Sequence, residues 1–409
     1  MKNLFQLFPL LIFGIFLTLI GLTVNAEENN TKFIRDDATG GDCYLIGVWD
    51  QPTKTCTLTT DVYETIQIDS DYMVLDGNNH TVIGSSVPGT QGIYLFQKTG
   101  VTVKNTNVEN FSAGISLWYS NGNTLINNSI KNNFSGIYLI LYSNNNKLIE
   151  NKILNNAIGI ALQASVNNNQ LIGNTISGGG HGVFSRYSNY NLLMNNTISN
   201  SYYGVNFFDS HNNKIYNNNF INNRFQAYIE ASIGNIFNLE KPIGGNYWSD
   251  FDSPTEGCED INSDDFCDSS YYFTGGVDYL PWTRRDGWKP KPVVPAIIDV
   301  KPDTLNKKSR SDKNAVTVYI EIPGYDINEI KRNTIKMSTI HGSILAQSTP
   351  IDIGDYDNDG ILDLMVKFGR DIVNEIVSTG DNIEITISGE IREIIFRGND
   401  KIRVIEKQW

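Results

Sequence analysis

Residues 143–163 read SNNNKLIENKILNNAIGIALQ, a run built almost wholly from asparagine, isoleucine and leucine around one glycine. Its last five residues recur along the chain. GIYLF begins at Gly92, GISLW at Gly114, GIYLI at Gly136, GIALQ at Gly159, GVFSR at Gly182 and GVNFF at Gly204, with spacings of 22, 22, 23, 23 and 22 residues. Two further columns keep the same phase. Asn123, Asn146, Asn169, Asn191 and Asn213 each stand two residues before an aliphatic, and Asn128, Asn151, Asn174, Asn196 and Asn218 follow five residues behind them. Three columns in register over five turns mark a repeat rather than low-complexity filler.

A period of 22–23 residues with short alternating runs and no helical periodicity points to a solenoid. A leucine-rich repeat would need a leucine-dominated consensus, which is absent. Each unit instead carries two or three short β-runs separated by Asn, Gly and Ser, the pattern of a parallel β-helix. Strand alternation turns Ile93, Ile115, Ile137, Ile160, Val183 and Val205 inward as an aliphatic ladder. Asparagine suits the corners, because it tolerates left-handed backbone and its amides can bond from coil to coil.

The repeat resembles right-handed parallel β-helix proteins, specifically the NosD-like group related to carbohydrate-binding and sugar-hydrolase helices. Leu75-Asp-Gly-Asn-Asn-His80-Thr-Val-Ile-Gly84 is similar to that group's first-coil motif. The segment GGNYWSDFDSPTEGCEDINSDDFCDSSYYFTGGVDYLPW, Gly244 to Trp282, is similar to its closing segment. The fold expected is therefore all-β: a right-handed parallel β-helix followed by a small β-sandwich.

Residues 1–26 read as a signal peptide, with Lys2, an apolar run from Leu4 to Val24 and small residues at Val24 and Ala26 before Glu27. The run is long for a signal, so an uncleaved anchor is the alternative; no later segment is apolar enough to span a bilayer. The β-helix is assigned to 27–288, a proline-rich linker (KPKPVVP) to 289–296 and the sandwich to 297–409. The sandwich rests on the strand-like runs AVTVYIEI, LMVKF, NIEITISG and KIRVIE. IDVKPDTLN, from Ile298, and GDYDNDGILDLMVKF, from Gly354, resemble an accessory module of secreted bacterial and archaeal proteins. The expected location is outside the cell or on its surface. Four cysteines then read as two local disulfides, Cys43 with Cys56 and Cys258 with Cys267.

Two acidic loops share a spacing. Asp260, Asn262, Asp264 and Asp268 place oxygens at positions 1, 3, 5 and 9, and Asp355, Asp357, Asp359 and Asp363 repeat it. Calcium needs six to eight hard oxygens from a curled loop, so both are expected to bind Ca2+ as structural sites. Gly360 stands where the sharp turn falls; Asp265 replaces it in the first loop.

Catalysis finds less support. Paired carboxylates at mid-helix are what a polysaccharide lyase, hydrolase or epimerase would require. Glu109, Glu150, Asp209 and Glu230 are the acids between Gly92 and Glu230, and the repeat register pairs none of them. His181 beside Gly182, with Arg186, and Asp209 with His211 are the remaining acid–base candidates. The family resemblance implies a link to assembly of a copper reductase, yet His80, His181, His211, His341 and the scattered methionines form no cluster with ligand spacing.

The outward positions of the glycine strand hold Tyr94, Phe96, Trp118, Tyr138, Phe184 and Phe208. Such a stripe can stack sugar rings or lie beneath another protein surface. Tyr94, Trp118, Tyr138 and Phe184 are the ligand-binding candidates. A net charge of −13 argues against nucleic acid as partner. The reading is an exported, calcium-stabilised, carbohydrate-associated scaffold. Its alternatives are a polysaccharide-active enzyme and, behind that, a copper-enzyme maturation factor.

Overall fold

The structure is a computed structural model that describes residues 31–262, 264–309 and 315–407. The expected signal peptide lies outside the described residues. The chain divides into two compact units, one ending at Trp288 and one beginning at Lys289.

The first unit is a parallel β-helix in which each full coil gives one strand to each of three sheets. The long-strand sheet runs from Lys32–Ile34 through Gln91–Phe96, Ala113–Trp118, Ser135–Ile140, Ile158–Gln163, His181–Arg186 and Tyr203–Phe208 to Phe225–Glu230. Three-residue strands such as Thr124–Ile126 and Lys147–Ile149 build a second sheet. Others such as Ser129–Lys131 and Lys152–Leu154 build the third. The expected aliphatic ladder is in place: Ile93, Ile115, Ile137, Ile160, Val183 and Val205 are fully buried and stack in register.

The asparagine columns work differently from the sequence expectation, which gave one residue both the corner and the amide ladder. The two jobs fall to neighbours. Asn145, Asn168 and Asn212 hold the left-handed backbone, at φ 59°, 59° and 56°. The next residues, Asn146, Asn169 and Asn213, turn inward and are fully buried. There each amide oxygen accepts the backbone N–H of the rung before it, and Asn146 and Asn169 accept its side-chain N–H as well; Asn146 Oδ1 takes both from Asn123, at 2.8 and 3.0 Å. The amide nitrogens also donate to backbone carbonyls, Asn146 Nδ2 to Ser120 O and Asn213 Nδ2 to Ser188 O of the preceding coil at 3.0 and 3.3 Å, and Asn169 Nδ2 to Asn167 O of its own coil at 3.1 Å. A third ladder, from Asn133 to Asn156, follows the same rule.

The glycine column marks a bulge. Pairing passes from residue 91 to 93 and from 113 to 115 and omits the glycine between them. A Cβ at Gly159 would stand 2.5 Å from Gly182 O and 2.5 Å from Ile176 Cγ2. Gly159→Ala is therefore expected to lower stability by about 2 kcal/mol through overpacking against fixed backbone. Gly122→Ala, at φ +66° with open space around it, tests strain alone and should lose about 1 kcal/mol. Urea midpoints of the two variants check the order.

The second unit packs a six-stranded sheet and a four-stranded sheet around one core, to which Val318, Ile320, Val366 and Phe368 contribute from one sheet and Met337, Ile385, Ile387 and Phe396 from the other. The proline-rich stretch is not wholly a linker. Val293–Pro295 pairs with Ile395, Phe396 and Arg397 as an outer strand, where the missing proline N–H is tolerated. No helix among the described residues is long and apolar enough to cross a membrane.

Candidate functional site

The outward residues of the long-strand sheet form columns, because parallel strands stack in register. Tyr94, Ser116, Tyr138, Ala161, Phe184, Asn206 and Tyr228 make one; Phe96, Trp118, Ile140, Gln163, Arg186, Phe208 and Glu230 make the next. All four ligand-binding candidates therefore face outward, in two columns. Tyr94 meets Trp118 edge-on at 6.2 Å. Burial raises the phenol pKa of Tyr94 and of Tyr138, and the Tyr138 hydroxyl donates to Gln163 Oε1 at 3.2 Å.

A third column escaped the sequence reading. His181, Tyr203 and Phe225 stand just before the bulge, where simple alternation would send them inward. The bulge reverses the parity, so they face out. His181 stacks on Tyr203 with ring centres 5.2 Å apart and planes 13° apart, and Tyr203 stacks on Phe225 at 5.3 Å. Burial lowers the His181 pKa and favours a neutral ring.

The corner beside this face adds Tyr119, Tyr142 and Tyr187, all in the left-handed region at φ 52°, 60° and 53°. Tyr119 and Tyr142 are stacked at 6.3 Å and are 39% and 57% exposed. Bulky residues are rare at positive φ, where asparagine or glycine is easier to accommodate. Arg186 lies over the rings of Tyr187 and Phe208 at 5.0 and 5.5 Å.

The acid–base candidates are accounted for by structure. His181 belongs to the aromatic stack. His211 ends an outer ladder in which the side-chain oxygens of Asn121, Asn144, Asn167 and Asn189 accept backbone N–H groups one coil on, at 2.6–2.8 Å. Its Nδ1 takes the next one, Ile233 N, at 3.1 Å. That assigns the ring proton to Nε2, which donates to Asp209 Oδ1 at 2.9 Å. Both ring nitrogens are thus engaged. Glu109 pairs with Lys131 at 2.9 Å.

Both disulfides are formed, Cys43 with Cys56 and Cys258 with Cys267. The two acidic loops share one hydrogen-bond plan. In the first, Asp260 accepts the N–H groups of Asp264 and Asp265 at 3.0 Å each, Asn262 that of Asp264 at 3.1 Å, and Asp268 that of Ile261 at 2.8 Å. In the second, Asp355 accepts from Asp359 and Gly360 at 3.1 Å each, Asp357 from Asp359 at 3.2 Å, and Asp363 from Tyr356 at 2.9 Å. Asp265 adopts φ 70° where Gly360 adopts 92°. The loops differ in charge balance. Lys241 bonds Asp264 in the first, and Asn262 Nδ2 donates to Asp268 at 3.2 Å. In the second, oxygens of Asp355, Asp357 and Asp363 lie within 4.8 Å of one another, as do oxygens of Glu321, Asp357 and Asp359. Burial, then the charges of the neighbouring loop aspartates, raises the pKa of Glu321 and of Asp363. Glu321 lies outside the loop in sequence and was not among the expected ligands.

A family model described as "Periplasmic copper-binding protein (NosD)" matches residues 54–253. No curated protein matches the chain. Among solved structures, the periplasmic alginate epimerase AlgG aligns at 19% identity over 42% of this chain and 46% of its own, with a TM-score of 0.32. Pectate lyase Pel9A aligns at 15% identity over 48% and 60%, TM-score 0.38. The Dettilon tailspike protein (gp208) aligns at 12% identity over 75% and 77%, TM-score 0.37. These likenesses concern the fold alone, and the chain spans about half the length of AlgG.

Copper favours imidazole, thiolate and thioether donors. Here every cysteine is in a disulfide. His80 lies beside Asp61, His181 in the aromatic stack and His211 in the ladder. Among the described residues, the groups of three or more His, Cys, Asp or Glu side chains with converging ligand atoms are all carboxylates of the second unit. This donor set does not fit copper.

Proposed function

We propose that the protein is an exported scaffold that binds polysaccharide along the long-strand face of its β-helix, with calcium at the acidic loops as a structural cation. The observation that carries this reading is the aromatic face. Three outward columns bring rings to a flat sheet, and three tyrosines hold an unfavourable backbone beside it. Rings at strand spacing suit stacking against sugars, while polar neighbours such as Gln163 and Asn206 can take hydroxyl hydrogen bonds. The two disulfides accord with an oxidising compartment.

The experiment is binding of the protein to a polysaccharide array, with calcium and then with chelator, assaying each bound glycan for cleavage. Binding without product is expected. Trp118→Ala and Tyr138→Ala should each weaken it about tenfold, roughly 1.4 kcal/mol of lost stacking. Cleavage product would replace this reading with that of a polysaccharide-active enzyme. Unchanged binding in both variants would move the ligand off this face.

A further inference from the structure

We propose that Glu321, 34 residues upstream of the second acidic loop, is the ligand that completes a Ca2+ site with Asp355, Asp357, Asp359 and Asp363. The inference rests on the calcium reading of that loop and adds a residue from a different strand.

Glu321 ends the strand Ala315–Glu321, whose Ile320 pairs with Leu364, the residue after Asp363. Sheet pairing thus fixes its carboxylate against the loop. The side chain is 1% exposed, and its buried Oε1 has no hydrogen-bond partner. A buried carboxylate oxygen without a donor is costly unless a cation answers it. Among the described residues, no lysine or arginine forms an ion pair with Glu321 or with any of the four loop aspartates. An oxygen of Glu321 instead lies within 4.8 Å of oxygens of Asp357 and Asp359, and Asp357 is shared with the group formed with Asp355 and Asp363. Oxygens bound to one calcium ion at about 2.4 Å lie within about 5 Å of one another. The two groups share Asp357, so one ion bound at that carboxylate would lie beside both. Five carboxylates and an irregular loop suit calcium better than magnesium, which demands octahedral geometry and keeps its waters.

The first loop makes the contrast. It has the same backbone plan, but the Lys241 ammonium already sits against Asp264, and among the described residues no group of three converging acid ligand atoms includes the first loop. Calcium should fill the second loop at lower concentration.

The test is calorimetric titration of the chelator-stripped full-length protein with calcium chloride, magnesium chloride as comparator, and thermal midpoints with and without calcium. Glu321→Gln should bind calcium at least tenfold more weakly than wild type while melting higher than wild type in chelator, because it removes the unanswered buried charge. That higher midpoint also shows that the variant is folded. If Glu321→Gln binds like wild type while Asp357→Asn does not bind, Glu321 is no ligand, although the loop reading survives. If wild type shows no binding, or Asp357→Asn binds as wild type does and Asp264→Asn does not, calcium is absent from the second loop and both inferences fall.

Discussion

Asn146→Leu is expected to destabilise the β-helix by about 4 kcal/mol, whereas Asn145→Ala, one residue away in the same NN pair, should lose no more than about 1 kcal/mol. The two side chains are chemically identical in wild type and differ in where they point. Asn146 is fully buried, and its oxygen is the acceptor for Asn123 N and Asn123 Nδ2. Its nitrogen serves Ser120 O and Asn169 Oδ1. Leucine keeps the volume and removes all four bonds. Asn123 N then sits in a dry interior without an acceptor, and each such group costs about 1–3 kcal/mol. Asn145 is exposed and contributes its tolerance of φ 59°. Denaturant midpoints followed by circular dichroism separate the two. Equal losses would mean that the buried amides carry no more than the corner does. Because each coil touches only its neighbours, the Asn146→Leu loss should also appear as faster amide exchange confined to the coils on either side.

The same pair shows how far the sequence could be read. The period, the sheet class and the inward aliphatics were legible because each is a one-residue column with fixed chemistry. The division of labour within NN was not, since composition cannot say which of two identical neighbours turns inward. The columns through residues 145, 168 and 190 on one side and 146, 169 and 191 on the other hold a clue. Tyr190 takes the corner position where Asn145, Asn168 and Asn212 stand in other coils and Gly122 and Gly234 in two more, while its partner Asn191 is kept. Corners accept substitutes; ladder rungs inside the helix seldom do. The outward column of His181, Tyr203 and Phe225 was missed for another reason, although His181 itself was a candidate. Period-two alternation assumes an unbroken strand, and the glycine bulge resets it. The acidic loops were visible as local spacing. Glu321 was not, because the pairing of Ile320 with Leu364 is what brings it there.

The second large effect is expected where one of the amide ladders ends. From Asn128 through Asn151, Asn174, Asn196 and Asn218 to Asn246, every rung donates its backbone and side-chain N–H to the next oxygen. The last rung needs an acceptor for both of its N–H groups. Asp278 supplies it, taking Asn246 N at 2.7 Å and Asn246 Nδ2 at 3.3 Å, with Trp248 Nε1 at 3.0 Å and Leu280 N at 3.1 Å completing four donors. Asp278→Ala should lower stability by about 4 kcal/mol by stranding Asn246 N, Trp248 Nε1 and Leu280 N. Asp278→Asn should lose about half as much, because one of its two heads must face donors with an NH2 group.

The pH dependence separates charge from shape. Complete burial pushes the Asp278 carboxyl up to about 7, against the pull of its donors. A carboxyl raised in the folded state binds its proton more tightly there than in the unfolded chain. Its contribution to stability is therefore fully present below about pH 4 and is lost as pH rises through about 7. Wild type should thus lose ground between pH 4.5 and 8 relative to Asp278→Asn, which has no proton to release, and the gap between their urea midpoints should narrow across that window. A gap that stays constant across that window would mean that the four donors hold the carboxylate ionised throughout and that the ladder ends on a permanent charge.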